Sequence, residues 1–392
     1  MTSPAVVIVG AGQGGLQVAI SLRQEGFAGS ITLIGAEPGL PYQRPPLSKA
    51  YLATGDADAL TLRPQSFFAT KDITYLPGAR VEEIDRAAHQ VVLSGQGGQE
   101  RLPYDHLILA TGTRNLRPPI AGLERACDLR TLEDASRLRA LLVEPRRVAV
   151  IGGGFIGLEF AAAARKQGHE IAVIEAADRL MARVVSPQMS GLFATLHHEW
   201  GTELHLGQAA TGVDATGVTL ADGRHVAADL VLVAAGVRPN TELAADGGLV
   251  VENGIAVDAC LRTSDPSISA LGDCASFPDP RSGQRIRLES AQAATDHARL
   301  IAARIAKGSD ATYAAVPWFW SDQGDKKLQI AGFAAPGAQA EGIADGIVAR
   351  IDDLGVVAVE TVNQAAVHMK SRRLLAGSEP VGLAQLKDLL AA

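Results

Sequence analysis

Short apolar runs closed by glycine recur along this chain, and between them apolar positions return with helical spacing. Ala5-Val6-Val7-Ile8-Val9 runs straight into GAGQGG. Beyond it Leu16, Ala19, Ile20 and Leu22 fall on one face of a helix expected from about Gly14 to Glu25, and Ile31-Thr32-Leu33-Ile34 reads as the next buried strand. The same order returns from Arg146 to Glu175, where Val148-Ala149-Val150-Ile151 enters GGGFIG. Leu107-Ile108-Leu109-Ala110-Thr111-Gly112 and Leu230-Val231-Leu232-Val233-Ala234-Ala235-Gly236 form a second duplicated pair, each a strand ending in a glycine turn. Strands that are apolar on both faces belong in covered parallel sheets.

This pattern predicts an α/β protein with two Rossmann-like dinucleotide-binding domains and a small α+β C-terminal domain. The second unit, residues 115–239, reads as inserted into the first, residues 1–114 and 240–316. The run Ile268-Ser269-Ala270-Leu271-Gly272-Asp273 resumes the first domain, with a helix expected from about Ala291 to Ile305. Residues 317–392 change character. They open with Pro317-Trp318-Phe319-Trp320 and continue through short strands near Lys327 to Ile330, Ile347 to Ile351 and Val356 to Val362 to a terminal helical stretch.

The 392 residues are 47% hydrophobic, enough for sizeable cores, and carry a net charge of -7, which disfavours nucleic acid or an anionic membrane as a partner. The first buried strand begins at Ala5, leaving no room for a signal peptide, and no apolar run is long enough to span a bilayer; a cytoplasmic protein is expected. Cys127, Cys260 and Cys274 are far apart and odd in number, and of the nine histidines only His197 and His198 are neighbours. Neither set has metal-ligand spacing, so no bound metal and no disulfide framework are expected.

The chemistry begins with the glycines. In each copy the first (Gly10, Gly152) makes the tight turn, the second (Gly12, Gly154) lets a pyrophosphate reach the backbone, and the third (Gly15, Gly157) lets helix and strand pack closely. Two such sites in one chain imply hydride transfer between two dinucleotides. Glu175 stands at the end of the second strand of the second unit, where an acid bonds ribose hydroxyls and repels a 2'-phosphate. That favours NADH, with Arg179 and Arg183 leaving some room for NADPH. In the first unit the available acid is Glu37, one position beyond Ala36. Glu159 is expected in the first turn of the second fingerprint helix, where the helix N-terminus alone favours a carboxylate; the functional reading has it facing the nicotinamide and paired with Lys49 of a proline-rich loop.

LPYQRPPLSKAYL at Leu40 to Leu52, LILATGT, DLRTLEDA at Asp128 to Ala135, GGGFIGLEFAA, AAGVRPN, ALGDCA and VPWFWSDQ at Val316 to Gln323 together resemble the FAD-containing, NADH-dependent ferredoxin reductases of bacterial oxygenase systems, the putidaredoxin reductase type. The resemblance implies a glutathione reductase-like arrangement of the two nucleotide domains. It implies FAD contacts at Gly10, Gly12, Gly15, Lys49, Val81, Arg130, Asp273 and Ala291, and NADH contacts at Gly152, Gly154, Gly157, Glu159, Glu175 and Gly236. Lys49 would stand beside the flavin, Asp273 would hold the ribityl chain, and Trp320 would lie near the isoalloxazine, with Trp318 expected on the opposite face of its strand. The chain departs from the pattern at Ala36, where several relatives carry an acid, and in its shorter, less aromatic last sixty residues.

The resemblance implies a monomer or weak dimer that passes electrons from NADH through FAD to a [2Fe-2S] ferredoxin, and so indirectly to a cytochrome P-450 or Rieske-type terminal oxygenase. A rubredoxin reductase, or an NADH-dependent quinone or oxygen reductase, stays open. Thiol-relay relatives need cysteine near the flavin, and Leu40 to Leu52 contains none. A signalling flavoprotein that binds nucleic acid, like apoptosis-inducing factor, wants a basic surface, against which the acidic balance argues. An acidic ferredoxin calls for a local cationic face, for which Arg299, Arg304, Lys326, Lys327, Lys370, Arg372 and Arg373 are candidates.

Overall fold

A computed structural model describes residues 4–95, 98–335, 337–377 and 379–391. These divide into two compact units. The first is made of Met1–Gln43, Asp58–Arg114 and Arg238–Ala315; the second of Arg44–Ala57, Asn115–Val237 and Val316–Ala392.

The first unit is built on a five-stranded parallel sheet in the order Ile268–Ala270, His106–Leu109, Ala5–Val9, Ser30–Gly35, Thr74–Pro77. Its central strands are the all-apolar runs, and Ile8, Leu33 and Ile108 have no exposed surface. The helix Gln13–Gln24 buries Leu16, Val18, Ala19 and Leu22. It lies against the helix Ala291–Lys307 closely enough that a Cβ on Gly14 would stand 3.4 Å from the Cβ of Ala294. That Cβ would also come within 2.3 Å of the Leu271 side chain, so the position suits glycine. Arg80–Asp85, Gln90–Gly95 and Gly98–Pro103 form a separate antiparallel sheet.

In the second unit a four-stranded parallel sheet runs Glu203–Leu206, Glu170–Glu175, Arg147–Ile151, Leu230–Val233, with the apolar run of Arg147–Ile151 inside it and that of Leu230–Val233 beside it. The helices Phe155–Lys166 and Pro187–Glu199 belong to it. The same unit carries a five-stranded antiparallel sheet in the order Trp318–Gln323, Lys326–Gly332, Gly355–Val362, Ile347–Asp352, Gln339–Ala344. Two helices follow, Ala365–Leu375 and Leu383–Ala391. Ala331, Ala349, Val356, Val359, Leu375 and Leu386 are among the buried residues of one apolar cluster there. No helix among the described residues is long and apolar enough to cross a membrane.

Candidate functional site

Both glycine turns have the geometry that their sequence demands. Gly10 and Gly152 adopt φ of +108° and +115°, angles that side chains avoid. A Cβ on Gly10 would lie 2.2 Å from the carbonyl oxygen of Ala110, and one on Gly152 2.3 Å from that of Ala234. Gly15 and Gly157 face the carbonyls of Gly10 and Gly152 at 1.9 Å and 2.2 Å by the same construction, so neither tolerates a side chain. Gly12 and Gly154 instead look into open space, with no atom within 4 Å of an added Cβ. Each is the N-cap of its helix and offers no side-chain cap. Helix N–H groups without a side-chain acceptor beside an open approach fit a dinucleotide pyrophosphate.

The two acids that follow are held differently. Glu175 accepts from the N–H of Gly153 at 2.6 Å and from the N–H of Ala177 at 2.8 Å, which fixes its carboxylate beside the glycine turn. Arg179 is committed to the carbonyls of Val185 and Ala182 at 2.9 Å and 2.7 Å, whereas Arg183 is exposed. Gly236, at φ +105°, has Arg183 3.4 Å from an added Cβ. In the first unit Glu37 accepts from the Tyr42 hydroxyl at 2.5 Å while Ala36 is exposed.

Lys49 follows the 3-10 turn Pro45–Ser48, and its ammonium lies 3.1 Å from Glu159 Oε2. The Ser48 hydroxyl donates to the same oxygen at 2.6 Å, and that of Ser321 to Oε1 at 2.8 Å. Glu159 is 3% exposed, so burial pushes its carboxyl upward, against the pull of Lys49 first and then of the serine hydroxyls. The helix begins at Phe155, which places Glu159 in its second turn rather than the first. Its ionisation therefore depends on these side chains and not on the helix terminus, whose influence fades within a turn. Ser48 and Ser321 were not anticipated. The available signal was Ser321 and Gln323 spaced by two, polar residues on one face of a tryptophan-rich strand.

The expected opposition of Trp318 and Trp320 is corrected. Residues two apart on a strand point the same way, and the two rings are 5.3 Å apart. Arg372 lies over Trp318 at 4.8 Å. Arg130 sits just before the capping box of the helix Leu132–Leu141, and its carbonyl accepts from Arg44 at 2.8 Å. In the first unit Val81 is buried on Arg80–Asp85. Asp273 accepts from the Thr113 hydroxyl at 3.3 Å, and Ala291 opens its helix behind the N-cap Ser290. Lys49, Arg130 and Trp320 thus belong to the second unit, and Gly10, Glu37, Val81, Asp273 and Ala291 to the first.

Two parallel sheets, each opening on an uncapped glycine turn, define an oxidoreductase built for two dinucleotides. The pyridine nucleotide-disulphide oxidoreductase family model matches residues 4–298, and a reductase C-terminal model matches residues 318–391. The chain belongs to this family, among its ferredoxin reductases, whose chemistry uses FAD and NAD(P)H. Rhodocoxin reductase from Rhodococcus erythropolis is 46% identical over 398 residues, spanning 98% of this chain and 92% of the relative. The ferredoxin reductase for the CYP199A2 system from Rhodopseudomonas palustris matches with a TM-score of 0.92 at 43% identity, covering 99% of this chain and all of that one. Putidaredoxin reductase in its covalent complex with putidaredoxin matches at 0.93 and 37% identity, over 100% and 99% of the two chains.

Proposed function

We propose that the chain takes hydride from NADH and delivers electrons singly to a [2Fe-2S] ferredoxin that serves an oxygenase. FAD, when bound, supplies the step from two electrons to one. The observation that carries the reading is the 3.1 Å pair between Lys49, on a segment, Leu40 to Leu52, that holds no cysteine, and the buried Glu159 of the helix Phe155–Lys166. Without a thiol there, electrons have no dithiol exit and leave by an outer acceptor. Lys49 offers a fixed positive charge, and Glu159 holds that ammonium in place. Residues 1–114 and 240–316 would hold FAD through Gly10, Gly12, Gly15, Glu37, Val81, Asp273 and Ala291, with Lys49 and Arg130 on its reactive side. Residues 115–239 would hold NADH on Gly152, Gly154, Gly157, Glu175 and Gly236, and residues 317–392 would meet the ferredoxin with Trp320 close to the flavin. Turnover of the flavin-loaded protein with NADH and a panel of ferredoxins, rubredoxins, quinones and oxygen is expected to give the highest kcat/KM with a ferredoxin. A higher value with a quinone or oxygen overturns the reading.

The preference for NADH over NADPH rests on Glu175 and on Arg179, whose guanidinium is spent on the carbonyls of Val185 and Ala182. A 2'-phosphate would meet a carboxylate there. NADH should be favoured in kcat/KM, and Glu175→Ala should narrow the preference by roughly tenfold, the scale of one ribose contact. Equal efficiency of the wild type with both nucleotides rejects it.

A further inference from the structure

The polar contacts around Glu159 continue beyond Ser321. Ser321 Oγ accepts from Gln323 Nε2 at 3.1 Å, and Gln323 Oε1 meets His197 Nε2 at 2.9 Å. Ser321, Gln323 and His197 have no exposed surface, and all belong to the second unit. An amide oxygen only accepts, so the proton of His197 is on Nε2. His197 Nδ1 finds no partner among the described residues. Each group therefore donates toward the next, from His197 to Gln323, to Ser321, to Glu159, and donors aligned in one direction reinforce one another in a low-dielectric interior. Gln323 Nε2 also reaches Met181 Sδ at 3.5 Å, and Met181 in turn donates its N–H to the Gly153 carbonyl at 2.9 Å. Gln323 is thereby tied to the second glycine turn as well.

We propose that His197 and Gln323 are positioning residues which, through the Ser321 hydroxyl, keep Glu159 ionised and so hold the Lys49 ammonium. The electrostatic part stands on the geometry of one unit; its consequence for hydride transfer rests on the function proposed above. Lys49 is the charged group acting on Glu159 from the proline turn. Asp322, on the other face of its strand, is 3.8 Å from Lys327, and His198 is exposed. Burial keeps His197 itself neutral. A neutral chain of donors lowers the cost of a buried carboxylate without adding a second charge that would compete with Lys49.

The test is the titration of the Glu159 carboxyl by carbon-13 NMR in the FAD-loaded protein labelled at glutamate, with Glu159→Gln identifying the resonance. Ser321→Ala should raise the midpoint by about one pH unit, the scale of one hydrogen bond to a charge. Gln323→Met, which keeps the volume but loses the amide, should raise it by a smaller step, and His197→Phe by a smaller one still. His197→Gln, which restores a donor, should return it toward the wild-type position, an outcome that repacking alone would not give. An unchanged midpoint in Gln323→Met, with wild-type thermal stability and flavin content, overturns the proposal. So does a His197→Gln midpoint as displaced as that of His197→Phe. Stopped-flow reduction by NADH across pH separates the two readings. If the carboxyl titration moves and the rate profile does not, the donor chain stands and the place of Glu159 in hydride transfer falls.

Discussion

The two glycine turns are almost superimposable in their constraints and different in what surrounds them. Gly10 and Gly152 differ by 7° in φ (+108° against +115°), and the carbonyls that forbid a side chain stand at 2.2 Å and 2.3 Å. Yet one turn is followed by Glu37 held by a tyrosine, the other by Glu175 held on two backbone N–H groups. The second helix also carries a buried carboxylate, Glu159; in the first helix only glycine, serine and apolar side chains are buried. Backbone geometry thus makes the two turns alike in what they can accommodate, and the side chains around them make them different.

The largest expected effect breaks the equivalence of the turns. Gly10→Ala and Gly152→Ala each force a side chain into a positive-φ position against a carbonyl, worth about 3 kcal/mol or roughly 100-fold in nucleotide affinity. The expected losses are opposite. Gly10→Ala should purify with little FAD, and Gly152→Ala should keep the yellow flavin while its reduction by NADH slows at low nucleotide. Flavin content and stopped-flow traces check this, and loss of FAD from both variants alike would mean that the turns do not serve separate ligands.

Lys49→Ala addresses the asymmetry directly. It leaves Glu159 buried without its cation, a loss of about 3 kcal/mol once the carboxyl is charged. Because the folded-state carboxyl already titrates above its ordinary 4.5, the deficit against wild type should be small near pH 4.5 and grow as pH rises through the folded value. Denaturant unfolding at pH 5 and pH 8 measures it: a deficit that stays small at both would show that Glu159 stays protonated, and one that is large at both that it is charged throughout. The variant should also slow flavin reduction at saturating NADH.

A neutral imidazole backs the first unit too. His297 Nδ1 accepts from the N–H of Gly272, beside Asp273, and burial pushes it down to about 3. The unfolded chain takes up a proton below the ordinary 6.5 and the folded one does not, so stability is lost as pH falls from there toward 3, by about 1.4 kcal/mol per pH unit. His297→Gln, which can still accept from Gly272, should flatten that slope between pH 6 and pH 4. An unaltered slope would place the acid sensitivity in other groups, such as His368, which burial holds at about 4.

The sheets and turns were legible because their cause is local: an apolar strand beside a glycine that no other residue can replace leaves a mark in consecutive letters. Lys49 could be set against Glu159 by charge alone across a wide gap. The rest of the cluster could not. Ser48 and Ser321 reach Glu159 from 111 and 162 positions away, and Gln323 meets His197 across 126. A serine or a glutamine has no periodicity to announce its partner. Trp318 was placed wrongly although the two-residue period of a strand settles it, and Glu159 was placed a turn early because a glycine-rich start hides where the helix begins.

The smallest expected effect separates the cations of the two units. Arg299 is 3.3 Å from Asp296, and Arg304 is turned inward to the Ser269 hydroxyl at 2.5 Å, so the first unit has little free positive charge on that helix. In the second unit Lys326 and Lys327 lie 2.8 Å and 3.8 Å from Asp325 and Asp322, which mutes them as well. Arg373 is exposed, and Arg372 lies over Trp318, the ring beside Trp320. A local cationic face on a chain of net charge -7 raises encounter rates with an acidic partner and does so less as salt screens it. Replacing Arg372 and Arg373 together by alanine should raise the apparent KM for an acidic ferredoxin roughly fivefold at low ionic strength, in keeping with exposed charges, and by little in high salt. Ferricyanide reduction should not change, since a small acceptor needs no docking face. Arg299→Ala is the control; an equal rise in KM there, or none in the double variant, would move the acceptor face away from the helix Ala365–Leu375.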